Sequence, residues 1–344
     1  MSEYDTAWHE LNARLRTIEV GGGGLHGALT ALKRHQQRTG FIKDALDDVE
    51  RYTLYHPQDS SRFFRAQYNP KRALRFNGNG IAPAPVGFMV HNEGCFLCRD
   101  NIRWQQRGVQ MGYEVRVGET GYYAWMNPFP LLPTHIVVAT QAHASQEWGF
   151  ELEAPDGAAS FLVDLVALAA QMPGYVGFYN GVGAGASIPG HLHFHFCQRP
   201  QDDPEFPLER AGGAFEEPGE GAGILTRYPV AVAIWRGSPK QVVAAVSAWM
   251  ARWRHRNRMR LDNLTGNFIV SMDGPGDRIS LYFIPRDRGN AIGRGMQGLV
   301  GGLELLGEVV FSDPKDQELL ENGAIDYFAL EGYLARVHTP MFPS

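Results

Sequence analysis

One segment constrains this chain more than any other: Tyr179-Asn-Gly-Val-Gly-Ala-Gly-Ala-Ser-Ile-Pro-Gly-His-Leu-His-Phe-His-Phe196. Successive side chains of a strand point to opposite faces. A strand over His191–Cys197 therefore puts His191, His193 and His195 on one face and Leu192, Phe194 and Phe196 on the other. The apolar face demands a core. Three imidazoles on the opposite face are costly unless each finds a partner. Just upstream, the Gly181–Ser187 loop carries only small side chains, so its backbone can approach a ligand and its N–H groups can hold an anion. A neutral imidazole can attack phosphorus, and a neighbouring histidine and loop N–H groups can stabilise the phosphoryl oxygens. A chance alternation on a polar face, or a pure metal site, would account for the histidines but not for the loop.

The rest of the chain reads as α+β. Helical spacing covers 6–18 and 28–52, broken by the Gly21–Gly24 run, a connector rather than a phosphate loop because no Lys-Ser/Thr follows it. Residues 61–140 read as short strands, among them Tyr122–Met126 and Ile136–Ala139 around a Pro-rich bend. A helix over 157–172 and a strand over Tyr175–Tyr179 lead into the histidine strand, with Cys197 expected off the histidine face, in the core. Residues 201–226, rich in acidic residues, Pro and Gly, read as a linker. Beyond it come a strand at Tyr228–Trp235, a helix started by Ser238-Pro239, a hairpin of Asn267–Met272 with Arg278–Pro285 through Asp273-Gly-Pro-Gly, and helices at 314–322 and 325–337. The expected organisation is an N-terminal helical segment (1–60), a catalytic half (61–200), the linker and a second half (227–344). Both halves contain strand-helix-strand-strand material, so duplication is a working hypothesis.

Composition narrows the function. The 344 residues carry 32 basic and 37 acidic side chains, a net charge of −5, which gives no basic excess for a nucleic-acid polymer. No apolar run reaches the ~18 residues of a membrane span. Three cysteines are too few for a disulfide framework. The first residues lack a basic-then-apolar signal pattern, and a cytoplasmic location is the expectation.

Cys95-Phe-Leu-Cys98 can supply one corner of a tetrahedral zinc site, with His91, His135, His143 and His191 as candidates for the other ligands. Arg62, Arg65, Lys71 and Arg72, interleaved with aromatic residues, form a basic patch for phosphate or base, or a solvated surface. Arg286 and Arg288 are a second phosphate candidate. Trp125 and Phe129 fit core packing better than stacking on a nucleobase, and Tyr282 and Phe283 are read as core.

Four stretches together resemble the histidine-triad superfamily, in the branch of galactose-1-phosphate uridylyltransferase, diadenosine tetraphosphate phosphorylase and GDP-L-galactose phosphorylase. They are Gly94–Asn101 with its Cys pair, Asn127–His135 followed by His143, Asn180–His195, and Phe64–Arg72 together with Leu281–Arg286. The last pair is most similar to a bacterial family of unassigned function. The resemblance covers about residues 60–290. It implies two histidine-triad-like halves, antiparallel sheets flanked by helices, with the triad in the first alone. It implies His193 as nucleophile, and a site for zinc, or iron in its place, at Cys95, Cys98, His143 and His191. Asn180, Gly185 and Ser187 would line the phosphate loop, and Arg65, Gln67, Arg72 and Arg286 would bind substrate. The substrate would be a nucleotide or nucleotide sugar, the acceptor phosphate or a sugar phosphate, and the protein a homodimer. His195 stands where the transferases and phosphorylases carry Gln. Histidine there is typical of the triad hydrolases and points to water as an alternative acceptor.

Overall fold

The structure, a computed structural model, describes residues 2–43, 45–75, 84, 86–105, 109–147, 159–212, 222–225, 227–272, 278–290 and 300–342. Its strands are β1 (Glu50–His56), β2 (Asp59–Tyr68), β3 (Gly112–Val117), β4 (Thr120–Met126), β5 (His135–Thr140), β6 (Tyr175–Asn180), β7 (His193–Gln198), β8 (Gly223–Leu225), β9 (Val232–Gly237), β10 (Leu264–Met272), β11 (Ile279–Asp287) and β12 (Glu308–Phe311). Its helices are α1 (Glu3–Ile18), α2 (Gly24–Arg38), α3 (Arg99–Gln105), α4 (Ala159–Ala170), α5 (Pro207–Gly212), α6 (Pro239–Arg256), α7 (Gly302–Leu305), α8 (Pro314–Glu321) and α9 (Tyr327–Ala335).

Nine strands form one antiparallel sheet in the order β3-β4-β5-β7-β6-β10-β11-β9-β8. The order repeats between the two halves, as the duplication hypothesis requires. The run β4-β5-α4-β6-β7 gives the strand order 4-5-7-6, and β8-β9-α6-β10-β11 gives 8-9-11-10. The halves meet where β6 pairs with β10, Asn180 opposite Asn267. Exchanging the six-residue strands β5 and β9 carries the pairs Ala139–His193 and Val137–His195 onto Arg236–Ser280 and Ile234–Tyr282. The second half thus holds Ser280 and Tyr282 where the first holds His193 and His195.

Each face of the sheet has its own core. On one, Phe194 and Phe196 of β7 are fully buried with Phe161 of α4, Trp249 and Trp253 of α6, and Trp8 and Leu11 of α1. Burying each such side chain contributes about 2–3 kcal/mol. On the other, Val176, Phe178, Ile269 and Tyr282 pack beneath a three-stranded sheet, β1-β2-β12, and α9. The α6 start is as read: Ser238 and Gln241 form a capping box and Pro239 occupies the first turn.

Several expectations are corrected. The helix read over 28–52 ends at Arg38: the chain turns at Gly40 with φ +70°, a conformation glycine adopts without penalty. Residues Glu50–His56 leave the helix to pair with β2, so the N-terminal segment is not wholly helical; Asp44 lies outside the described residues. Residues 201–226 are more than a linker, since they include α5 and β8, and Phe206 and Leu208 are fully buried. The strand placed at Tyr228 starts at Val232. The Asp273-Gly-Pro-Gly turn lies outside the described residues, as do the acidic residues Glu216, Glu217 and Glu220. The histidine strand begins at His193, with His191 just ahead of it. Cys197 is fully buried as expected, but with Phe178 and Val176 on the histidine side, as its even spacing from His195 requires. No described helix is long and apolar enough to cross a membrane.

Candidate active site

The turn preceding α3 brings Cys95 and Cys98 together. His143 follows β5 and His191 precedes β7. The ligand atoms of these four residues lie within 4.8 Å of one another. Cys95 Sγ is 3.4 Å from His191 Nδ1, and Cys98 Sγ is 3.3 Å from His143 Nδ1 and 3.6 Å from His191 Nδ1. The edges of a tetrahedral zinc site with two sulfur and two nitrogen ligands are about 3.5 Å between unlike donors, so the donor set fits. Surrounding groups are those a charged thiolate site needs. Asn92 Nδ2 donates to Cys98 Sγ (3.3 Å), Leu97 N–H donates to Cys95 Sγ (3.5 Å), and His191 Nε2–H donates to the Thr140 carbonyl (2.8 Å). These four residues can hold a metal such as zinc. Of the other candidates, His91 is tied through its backbone to Asn101, and His135 stands beside His195.

The two remaining triad histidines are held in defined protonation states. His193 Nδ1–H donates to the His191 carbonyl (2.7 Å), which leaves the lone pair on Nε2. Leu131 N–H donates to His135 Nδ1 (3.2 Å), so neutral His135 carries its proton on Nε2, and that proton is donated to His195 Nδ1 (3.0 Å). His195 must then carry its own proton on Nε2. Its ring stacks on Phe178, centroids 5.1 Å apart. Burial pushes His193 down to about 4 and His135 down to about 3, and holds His195 well below the usual imidazole range. All three are neutral at pH 7.

Gln146 fixes the strand behind them and has no sequence signature. It is fully buried, and its Nε2 donates to the carbonyls of Asn180 (2.8 Å) and His193 (3.1 Å) while its Oε1 accepts from His193 N–H (2.7 Å). Its backbone N–H donates to the Pro189 carbonyl (3.1 Å) and its own carbonyl accepts from the Tyr179 hydroxyl.

A cavity of about 390 Å³ opens beside these groups. Asn180, Gly185, Ser187 and His195 are among its lining residues; Arg72, Arg75 and Glu304 are polar groups of its wall, and Phe41, Trp125 and Phe129 supply aromatic surface. Trp125 is both core and wall, packed against Trp8 and Tyr123. Gly185 has φ +95°, and a Cβ there would stand 2.6 Å from Gly301 Cα, so the loop is seated directly on the segment before α7. His193 is not among the residues lining the cavity; it is 1% exposed, its ring 5.1 Å from that of His195.

Other candidates lie away from this wall. Arg65 pairs with Asp203 and donates to the Glu205 carbonyl (2.5 Å), and Gln67 donates to Glu308 (2.9 Å), both on β2. Arg62 pairs with Glu331, Lys71 with Asp48 and Arg288 with Glu147. Arg286 is fully buried behind the Gly181–Ser187 loop, bonded to Asn267. The sequence reading passed over Arg75 and Glu304, and treated His135 only as a candidate metal ligand.

Residues 32–198 match the sequence pattern of a family described as a domain of unknown function, DUF4922. No curated protein matches the chain. Among solved structures, the fold is similar to that of yeast Ap4A phosphorylase Apa2. Alone, that protein aligns with a TM-score of 0.56 at 15% identity, covering 90% of this chain and 97% of its own. In complex with AMP it aligns at 0.58 and 16%, covering 90% and 96%, and in complex with Ap4A at 0.58 and 16%, covering 90% and 97%. The two-halved α+β architecture expected from the histidine-triad resemblance is therefore the one observed.

Proposed function

We propose that the protein is a nucleotidyltransferase or phosphorylase that works through a covalent nucleotidyl-histidine at His193. The observation that carries this reading is the hydrogen bond from His193 Nδ1 to the His191 carbonyl, which leaves a neutral imidazole with its lone pair on Nε2, the ring 5.1 Å from that of His195 in the cavity wall. In the first step Nε2 forms a bond to the α-phosphorus, and the P–O bond to the leaving phosphate breaks with its electrons on oxygen. In the second, an acceptor oxygen forms the new P–O bond and the N–P bond breaks, returning the imidazole. Two in-line displacements give retention at phosphorus. His193 does not line the cavity, so adduct formation requires a local rearrangement that opens its Nε2 to the phosphorus.

His195 serves as a hydrogen-bond donor to a phosphoryl oxygen, as an amide would. With Nδ1 engaged by His135 and Nε2 protonated, it has no lone pair to accept a proton from water. That favours transfer over hydrolysis. Asn180, Gly185 and Ser187 receive the phosphates and Trp125 and Phe129 the base, with Arg72 beside them; Arg65, Gln67 and Arg286 do not touch substrate. The substrates are dinucleoside polyphosphates, as for the Ap4A-binding yeast structure, or nucleoside diphosphate sugars, and the acceptor is phosphate or a sugar phosphate. Zinc, bound by Cys95, Cys98, His143 and His191, supplies structural fixation of the segment ahead of β7.

Intact mass measurement after brief incubation with Ap4A or nucleoside diphosphate sugars, without acceptor and quenched at alkaline pH, tests this. One nucleotidyl mass added, and absent in His193→Ala, supports it. Release of nucleoside monophosphate without any adduct supports the hydrolase, and neither result across the panel removes the substrate class.

A further inference from the structure

Arg286 is a buried cation whose two hydrogen bonds go to neutral groups, with the Glu304 charge acting on it without a direct bond. Its side chain is 0% exposed on β11, in the half that lacks the histidines. No carboxylate forms a hydrogen bond to it among the described residues, and its Nε and Nη2 have no hydrogen-bond partner there. A buried cation of this kind is destabilising unless something else requires it. Its Nη1 makes two bonds, to Asn267 Oδ1 and to the Val300 carbonyl, each 2.9 Å.

Those two bonds determine which way the phosphate loop faces. A guanidinium only donates, so Asn267 must turn its oxygen to Arg286 and its nitrogen away. Asn267 Nδ2 accordingly donates to the Ala184 carbonyl (2.7 Å), inside the loop, and to Asn180 Oδ1 (2.8 Å). Asn180 Oδ1 also accepts from Gly302 N–H (2.9 Å), two residues beyond the Val300 carbonyl that Arg286 holds. With its oxygen occupied by two donors, Asn180 has only its Nδ2 to offer the cavity it lines.

We infer that Arg286 is a positioning residue that sets the donor polarity of the phosphate site: through Asn267 and the Val300–Gly302 turn it locks Asn180 with its amide N–H toward the substrate phosphate. The second half of the duplication thus supplies the orientation of a group in the first. This inference rests on reading Gly181–Ser187 and Asn180 as the phosphate cradle.

The test is AMP binding by calorimetry in a double-mutant cycle between Arg286→Met and Asn180→Ala, with thermal unfolding recorded for each protein. Arg286→Met is expected to weaken AMP binding about tenfold, the effect of one charge-assisted donor lost, and Arg286→Lys, still a pure donor, to recover part of it. In the Asn180→Ala background the same Arg286 change is expected to shift affinity less than about twofold. A general loosening of the fold would give equal effects in both backgrounds, and that additivity overturns the inference. If Arg286→Met does not fold, Asn267→Asp answers the question, because it keeps a partner for Arg286 but has no N–H for Asn180. Unchanged AMP affinity in Asn267→Asp overturns the inference while leaving the proposed function intact. An unaltered protein that neither binds AMP nor forms an adduct overturns the functional reading and takes the inference with it.

Discussion

Replacing Gln146 by alanine removes three side-chain hydrogen bonds at once, all to backbone groups of the strands that carry the site. The His193 N–H and the Asn180 and His193 carbonyls lose that partner in a fully buried place. At about 1 kcal/mol for each bond, and up to about 3 for a buried group left unsatisfied, Gln146→Ala is expected to cost about 3 kcal/mol of unfolding free energy. Because the same bonds fix the backbone of His193, the proposed nucleophile, the rate of adduct formation is expected to fall about 100-fold, the effect an ångström-scale misplacement can have. Gln146→Glu is the sharper control. Its first oxygen still accepts from His193 N–H, but its second faces two carbonyls and needs a proton. The folded-state pKa of that carboxyl is therefore raised above its unfolded value near 4.3. The variant's stability is fully present below about pH 4.3 and falls as pH rises through the folded pKa. Urea unfolding at several pH values, with single-turnover adduct formation, reads both effects. A Gln146→Ala protein within about 0.5 kcal/mol of the original, with an unchanged rate, would refute the idea that this side chain braces the strand.

Other outcomes follow from the same geometry. His135→Phe removes the donor that fixes the His195 tautomer and is expected to slow transfer at least tenfold, whereas His195→Gln should retain more activity than His195→Ala; equal losses in the two His195 variants would contradict the donor role. Elemental analysis is expected to find about one metal per chain, lost from Cys98→Ser and after chelation, with a lower unfolding midpoint each time; unchanged metal content in Cys98→Ser would remove that cysteine from the site. Gly185→Ala forces a Cβ against Gly301 at a backbone angle that disfavours it, and calorimetric unfolding is expected to show a loss above about 1 kcal/mol. An unaffected midpoint would mean that the loop seats itself elsewhere.

What the sequence disclosed was local. Alternation named the faces of the histidine strand, and parity alone would also have put Cys197 on the histidine side. The Cys-x-x-Cys spacing and the Ser238-Pro239 cap are short patterns visible within a few residues, although the histidines that complete the cysteine cluster come from far along the chain. The three-stranded sheet was invisible because β12 pairs with β2 from more than 230 residues away, and a four-residue strand carries no periodicity. Gln146 escaped notice for a related reason. Its partners are backbone atoms of β6 and β7, which any sequence provides, so nothing near position 146 marks it. Arg286 was readable as a phosphate residue by type, but only the sheet order places it behind the loop rather than in the cavity wall.

The seam between β6 and β10 makes the chain a dimer written as one polypeptide. Each half contributes an edge strand that the other covers, as two subunits would across a twofold axis. Cut free, residues 61–200 would expose the β6 edge, an open row of backbone donors and acceptors that invites another strand. That fragment is expected to self-associate through β6, and a monomer in sedimentation would argue otherwise. A symmetric dimer would have two equal faces at such a seam; here they are unequal, the first half presenting histidines at positions where the second has Ser280 and Tyr282, while Asn267 of the second half bonds Asn180 and the Ala184 carbonyl of the first.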